Sequence, residues 1–405
     1  MSKKDILFLC QFFYPENVSS ATLPFDTAGA LAKSGFSVGA LCGYPKEYVN
    51  EKNVATKEVK DGVEIRRMKY IQLSRIGSIG RLVNYFSFTF KAFLNLGKIK
   101  KYKSVIVYSN PPILPMVALA AKKLYGTKVV FVSYDVYPEI AYASGSISEG
   151  SLIDRVMRKI NKSLYKNADA VVSLTDEMKS FLLSNRDGLT DDRVFTIENW
   201  AHEKERVEPL AQSYSKFGFK EDRFVVGYFG NLGTCQDIDT LLDTALALKD
   251  DSRFGFLIVG HGNKKGHVKE FIAQNGLENV KVFDFLVGDD FTQAVAISKC
   301  SVVSLEKGLV GTCAPSKYYS CLLGGHPVIA IVEEESYLAA EVEAEKVGYH
   351  VNNGDTDDFC RKLESMAKNP EEVKGMSERA RALYAKKYSI DKAMCLYAKI
   401  FERIL

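Results

Sequence analysis

Short, nearly continuous apolar runs alternate with stretches of helical periodicity along the whole chain. Runs of that kind are strands buried on both faces, as in a parallel sheet covered by crossover helices. In the first half they are Ile6–Cys10, Ser37–Leu41, Val63–Met68, Ser104–Tyr108, Lys128–Ser133, Ala170–Leu174 and Arg193–Ile197. The spacing predicts helices between them near 24–34, 79–97, 113–124, 151–167 and 176–184. The series pauses at Glu198-Asn199-Trp200 and a polar stretch to Phe219. It restarts with strands Phe224–Phe229, Phe254–Val259, Val280–Phe285, Ser301–Leu305, Pro327–Val332 and Gly348–Val351. Helices are predicted near 237–249, 265–275, 289–299, 315–323, 336–346 and 355–368, and two more near 370–387 and 390–404 follow without a strand. The alternation marks an α/β class. Two doubly wound parallel-sheet halves and a helical tail result, with domains expected at 1–200, 201–380 and 381–405. The last helix is expected to pack back on the first domain, because it has apolar residues and no strand to cover.

Composition narrows the class. The 405 residues are 46% apolar and 26% charged, which excludes collagen-like and disordered chains. Lys and Arg number 54 against 50 Asp and Glu, a net charge of +4 that does not point to nucleic acid. The charge is unevenly spread: net +9 over residues 1–200 and −5 over 201–405. The basic half suits an anionic surface such as a cytoplasmic membrane leaflet. Eight scattered cysteines without a CxxC pair read as thiols of a reducing compartment, not as a disulfide frame or zinc site. Met1-Ser2-Lys3-Lys4-Asp5 runs straight into a strand with no signal-peptide core, and no run of about 18 apolar residues occurs. The expected location is the cytoplasm, with peripheral contact at the inner membrane. That contact is sought in residues 75–103. There Arg75, Arg81, Lys91, Lys98, Lys100, Lys101 and Lys103 flank an aromatic helix. Its Ile79, Leu82, Val83, Phe86, Phe90, Phe93 and Leu94 follow helical spacing, with Tyr85 and Phe88 beside them. Such a stripe fits a lipid surface or the sheet beneath, and both readings stay open.

Ligands of open α/β sheets bind beyond the carboxyl ends of the strands, so chemistry is sought in the loops there. The first such loop, Gln11 to Ala21, ends in Asn17, Ser19 and Ser20 and leads into a helix whose amides suit an anion or a sugar hydroxyl. Tyr134-Asp135-Val136-Tyr137-Pro138-Glu139 brings two carboxylates to a strand end, where acid–base groups belong. Gly230-Asn231-Leu232-Gly233-Thr234-Cys235-Gln236 is a workable diphosphate cradle. Gly260-His261-Gly262-Asn263-Lys264-Lys265-Gly266 nearly imitates the dinucleotide fingerprint, but its last glycine falls one residue late. Ser304 to Ser320 is the most loaded stretch: Lys307, Gly308 and Gly311 precede a helix opened by Pro315. Lys317 in its first turn opposes the helix dipole, which makes sense if a phosphate bridges the two.

These residues together resemble the retaining glycosyltransferases of family 4, which have the GT-B fold, and above all their bacterial O-antigen, capsule and exopolysaccharide members. The resemblance rests on Tyr14-Pro15-Glu16, Asp135-Val136-Tyr137-Pro138-Glu139, Leu164 to Thr175, Glu198-Asn199-Trp200, Gly230-Asn231-Leu232-Gly233, Pro315-Ser316-Lys317-Tyr318-Tyr319 and Gly324 to Ala330. It implies transfer of a sugar from a nucleotide diphosphate, UDP above all, to a lipid-linked saccharide, with no metal and no other cofactor. It implies donor contacts at Gly230, Asn231, Gly233, Gln236, His261, Phe285, Lys307, Gly311, Thr312, Ser316, Lys317 and Ser320. Amides near Gly233 and over Gly311–Ala314 would share the diphosphate charge. Acceptor contacts fall to Asn17, Ser19 and Ser20, and the catalytic roles to Asp135, Glu139 and Lys317. The chain departs from the family where an Arg and a Lys usually stand, reading Asn231 and Gln236. It departs again at two usual glutamates, reading Thr312 and Ser320. Those departures keep two alternatives open: an inactive GT-B binding subunit of a partner enzyme, and a sugar-nucleotide epimerase of the same fold.

Overall fold

The computed structural model describes residues 3–46, 53–74, 78–202 and 207–405. Met1, Ser2 and Arg75 of the sequence reading lie outside them. Two compact units are present. Unit 1 consists of Met1–Asn199, Gly311–Ala314 and Ile390–Leu405, and unit 2 of Trp200–Val310 and Pro315–Ser389.

Unit 1 is built on eight strands: β1 (Lys4–Cys10), β2 (Val38–Gly43), β3 (Lys57–Lys60), β4 (Val63–Met68), β5 (Tyr102–Tyr108), β6 (Lys128–Ser133), β7 (Ala170–Ser173) and β8 (Val194–Thr196). They lie in the order β3-β4-β2-β1-β5-β6-β7-β8. All neighbours are parallel except β3 and β4. β3 was missed because Lys57-Glu58-Val59-Lys60 is a polar edge strand that no apolar run announces. Its turn, Asp61-Gly62 with φ of 49° and 78°, was the available signal, since both residues must take positive φ. Unit 2 holds β9 (Phe224–Phe229), β10 (Phe254–Val259), β11 (Val280–Phe283), β12 (Ser298–Ser304), β13 (Val328–Ile331) and β14 (Gly348–Val351). Their order is β11-β10-β9-β12-β13-β14, parallel throughout. Every residue of β2, β7, β10 and β13 is buried, as strands covered on both faces require.

The strand order reverses between β1 and β5 in one sheet and between β9 and β12 in the other. Connections leave in opposite directions at such a point, so a crevice opens beyond the carboxyl ends. The loops after β1, β5, β9 and β12 are thereby the favoured ligand positions.

Helices follow the spacing with local corrections. The first runs Ser19–Lys33, five residues before its expected start, because Pro24 lies inside the helix and does not open it. The helix near 79–97 is two, Ser78–Phe93 and Leu96–Ile99. Short helices Glu139–Ala143 and Ala211–Lys216 escaped the pattern, since neither completes two turns. Leu152–Asn167 begins at Ser151, whose Oγ accepts from the Asp154 amide at 3.3 Å, and buries Met157, Ile160 and Leu164. Pro370–Lys387 packs on Ser316–Gly324 in unit 2. Ile390–Ile404 packs on Ser19–Lys33 in unit 1, with Phe401 and Phe36 rings 6.3 Å apart.

The helix Ser78–Phe93 turns its narrower stripe to the sheet. Asn84, Phe88 and Ala92 are buried: Phe88 meets the Tyr70 ring at 5.3 Å, and Asn84 bonds both Leu73 backbone groups. The stripe expected from spacing is largely the outward one, since Ile79, Leu82, Phe86, Phe90 and Leu94 are exposed.

Candidate functional site

In unit 2 the site grows from the loop after β9. Gly230 has φ +123°, a conformation that side chains rarely adopt, and a Cβ there would stand 2.9 Å from Lys317 Cε. The missing side chain lets the lysine lie against the loop. Lys317 Nζ donates to the Tyr228 hydroxyl and, at 3.1 Å, to the Asn231 carbonyl. The ammonium also sits 3.9 Å from the centre of the Tyr228 ring. The tyrosine hydroxyl in turn donates to the Asn231 carbonyl at 2.7 Å. None of these partners carries a charge. Among the described residues no carboxylate pairs with Lys317, and burial pulls its pKa down to about 7. The helix it belongs to, Ser316–Gly324, has no side-chain cap, so its first amides add their dipoles at the same end.

The rest of the cradle is closed by its own side chains. The Gly233 amide donates to Gln236 Oε1 at 3.0 Å, so Gln236 occupies an amide expected to serve a ligand. Leu232 donates to the His261 carbonyl, and Lys264 to that of Leu232. A Cβ on Gly260 would fall 1.8 Å from the Gly230 carbonyl, and one on Gly262 2.3 Å from that of Leu232. The near-fingerprint glycines thus exist so that two loops can touch. Their packing needs no dinucleotide. His261 meets exposed Phe285 edge-on at 6.0 Å. Sequence reasoning passed over Lys264, whose Nζ donates to the Gln236 carbonyl at 2.8 Å and pairs with Glu306. Ser316 and Lys307 are exposed, and Ser320 is half-buried.

In unit 1 the site is the turn after β6. The Asp135 amide donates to Ser109 Oγ at 3.1 Å, and Asp135 forms an antiparallel bridge with Cys313. The Val136 amide donates to the Thr312 carbonyl at 2.8 Å. The Gly311 amide donates to Glu177 Oε2 at 2.8 Å, and a Cβ on Gly311 would meet Phe181 at 2.8 Å. The segment Gly311–Ala314 therefore belongs with unit 1, outside the domain expected for it, and its first amide is already taken. The Asp135 carboxylate has no hydrogen-bond partner among the described residues. It faces a small hollow shared with Ser109, Pro112, Tyr137, Asn161 and Tyr165, and burial pushes its pKa up to about 6.

Glu139 is differently placed. It pairs with Arg186 at 2.6 Å, and Arg186 also donates to the Tyr137 carbonyl and lies 5.6 Å from the Tyr165 ring centre. Asn161 donates to that same carbonyl at 2.5 Å. Glu139 is thus an anchor of the turn. Its partner Arg186 stands 47 residues away at the end of another helix, so no local spacing reveals it. Asn17 and Ser19 are exposed at the end of the β1 loop and Ser20 is half-buried, where their helix begins without a side-chain cap.

One consequence is testable at once. Gly230→Ala should destabilise the protein by about 1–3 kcal/mol through backbone strain, and should push Lys317 off the loop. Chemical denaturation measures the first effect and titration with UDP the second.

Among the described residues no group of three His, Cys, Asp or Glu side chains is arranged to hold a metal, and no helix is long and apolar enough to cross a membrane. A glycosyl transferase 4-like domain matches residues 25–200, and a group 1 glycosyl transferase domain matches 212–383. Two relatives carry provisional names. Glycosyltransferase WbjE of Pseudomonas aeruginosa is 26% identical over 286 residues, 68% of this chain and 70% of that one. WcaI of Escherichia coli K12, named as a colanic acid biosynthesis glycosyl transferase, is 23% identical over 315 residues, 74% and 76% of the two chains. In fold the chain is similar to Alr3699/HepE of Anabaena, solved with UDP and glucose, at a TM-score of 0.72 and 15% identity over 99% of this chain and 100% of that one.

Proposed function

The chain belongs to the glycosyltransferases of family 4, with the two Rossmann-like domains of the GT-B class, and from that premise we propose that it moves a sugar from a UDP-sugar to a lipid-linked saccharide in the assembly of a bacterial surface polysaccharide. The observation that carries the reading is Lys317. A half-buried cation without a counter-ion among the described residues is costly, and an anionic ligand removes that cost. A diphosphate fits, because the helix end without a side-chain cap and the glycine at 230 lie beside the same ammonium. UDP is favoured by its presence in the Anabaena structure, and surface polysaccharide by the colanic acid assignment of the Escherichia coli relative.

The chemistry asks for charge stabilisation. The departing diphosphate gains negative charge in the transition state, and a preorganised ammonium with aligned amides stabilises it. We assign no metal to this step. Retention requires the acceptor hydroxyl to arrive on the face from which the diphosphate leaves, with the leaving phosphate accepting its proton. Asp135 orients the acceptor or supports developing positive charge, and the loop holding Asn17, Ser19 and Ser20 contributes to the acceptor side. The lipid anchor places the work at the cytoplasmic face of the inner membrane.

Isothermal titration with UDP and then UDP-glucose tests the donor. Dissociation constants between about 1 μM and 1 mM are expected, the range enzymes ordinarily use for substrates. No heat with either ligand would return the chain to the inactive-subunit reading. Conversion of the donor to its epimer without an acceptor would favour the epimerase.

A further inference from the structure

We propose that the outward face of helix Ser78–Phe93 is a docking surface for an anionic lipid bilayer. The proposal deepens the reading of a lipid-linked acceptor and rests on it for its purpose, while its observations come from unit 1 alone. Ile79 is 78% exposed, Phe86 60%, Phe90 61% and Leu94 63%. With Leu82, also exposed, they recur every three to four residues along one side of the helix and the residue that follows it, so they form a continuous ridge. The opposite side, through Phe88 and Ala92, already provides the packing on the sheet. Burial against unit 1 therefore does not explain the ridge. Exposed Ile71 and Leu73 flank it, held to the helix through Ser87 and Asn84 respectively.

Charge selects the occupant. Between residues 65 and 134 the chain has thirteen lysines and arginines and no aspartate or glutamate. Arg81, Lys91, Lys100 and Lys101 are exposed, and none has a carboxylate partner among the described residues. Arg67, Lys103, Lys122 and Lys128 pair with Glu58, Asp5 and Asp169 from outside the stretch, but the unpaired cations beside the ridge repel a second copy of it, because an isologous contact would set like charges together. An anionic headgroup layer meets both features. Phenylalanine and isoleucine side chains enter the acyl boundary while the ammonium and guanidinium groups stay among the phosphates. The neighbouring helices Pro115–Tyr125 and Leu152–Asn167 cover the same core and carry exposed Leu124 and Leu152.

Co-sedimentation of the full chain with phosphatidylcholine vesicles, with and without phosphatidylglycerol, tests this. Binding is expected only when phosphatidylglycerol is present, and it should weaken as salt is raised. Phe86→Asp with Phe90→Asp should lower vesicle affinity by about a hundredfold or more without lowering the melting temperature, since neither ring packs in the core. If that pair does not fold, Ile79→Asp repeats the test at the most exposed position. Lys91→Gln and Lys100→Gln should each cost about fivefold. Equal binding to neutral vesicles, or full binding by the folded phenylalanine variant, overturns the proposal. So does a protein that ignores vesicles and elutes as a dimer which the same variant dissolves. Affinity for UDP-glucose should stay at the wild-type value in every variant, so failure of vesicle binding is distinguishable from failure of the donor reading.

Discussion

Asp135→Asn should lower turnover by about 10²–10⁴-fold while leaving the affinity for UDP unchanged. Asparagine keeps the shape and the bridge to Cys313 but carries no charge, so it isolates the role of the carboxylate. Among the described residues the group has no hydrogen-bond partner in its hollow, and burial raises its pKa to about 6. Turnover should therefore fall on the acid side of about pH 6, where the carboxylate is protonated. The variant should lose that limb together with most of its rate. Stability moves the other way. The folded protein holds this proton more tightly than the unfolded chain does, so the contribution to stability is whole below pH 3.8 and is lost as pH rises through about 6. Thermal melts should show the variant above wild type at pH 7.5 and level with it near pH 3.5. Undiminished turnover would remove Asp135 from the chemistry. A lower melting temperature at pH 7.5 would make it a structural group.

Lys317→Met should weaken UDP-glucose binding by about a hundredfold or more, as loss of a buried charge partner does. Wild-type affinity should itself depend on pH. The free ammonium loses its proton near pH 7, so affinity should fall by up to about tenfold per pH unit above that point. The methionine variant should give a flat profile over the same range. UDP-glucose suits the measurement, because its diphosphate does not titrate there. The unfolded chain holds the Lys317 proton more tightly than the folded one between about pH 7 and 10.5, so the unliganded wild type should gain stability as pH rises through that window. The variant should be the more stable of the two at pH 7 and below. A wild-type profile without pH dependence, or a variant that binds normally, would dissociate Lys317 from the diphosphate.

The fold was legible wherever burial on two faces left no alternative to a strand. β9, β10 and β14 fall on the residues the apolar runs mark, because Phe224–Phe229, Phe254–Val259 and Gly348–Val351 are bounded by turn residues. Spacing along Ser78–Phe93 was less decisive. It contains two apolar stripes, and periodicity alone cannot say which one meets the sheet. Packing chose Phe88 and Ala92 because small Ala92 lets the helix approach while Phe88 fills the space against Tyr70. The cradle was readable as glycines before a helix. That Gln236 would close on the Gly233 amide was not, because a side chain's return to its own loop depends on backbone angles. Arg186, Asn161 and Glu177 carried no signal, since each acts on a turn dozens of residues away.

Neither unit is a continuous stretch of chain. Unit 1 keeps Gly311–Ala314 as a bridge to Asp135, and it receives Tyr397, Ile400 and Phe401 from the closing helix. A nascent N-terminal half thus leaves the ribosome with an apolar groove whose filling has not yet been translated. It must wait through the synthesis of nearly all of unit 2 before its own core is complete. A fragment cut at the apparent boundary near Asn199 inherits that open groove permanently, and exposed apolar surface of this kind promotes aggregation.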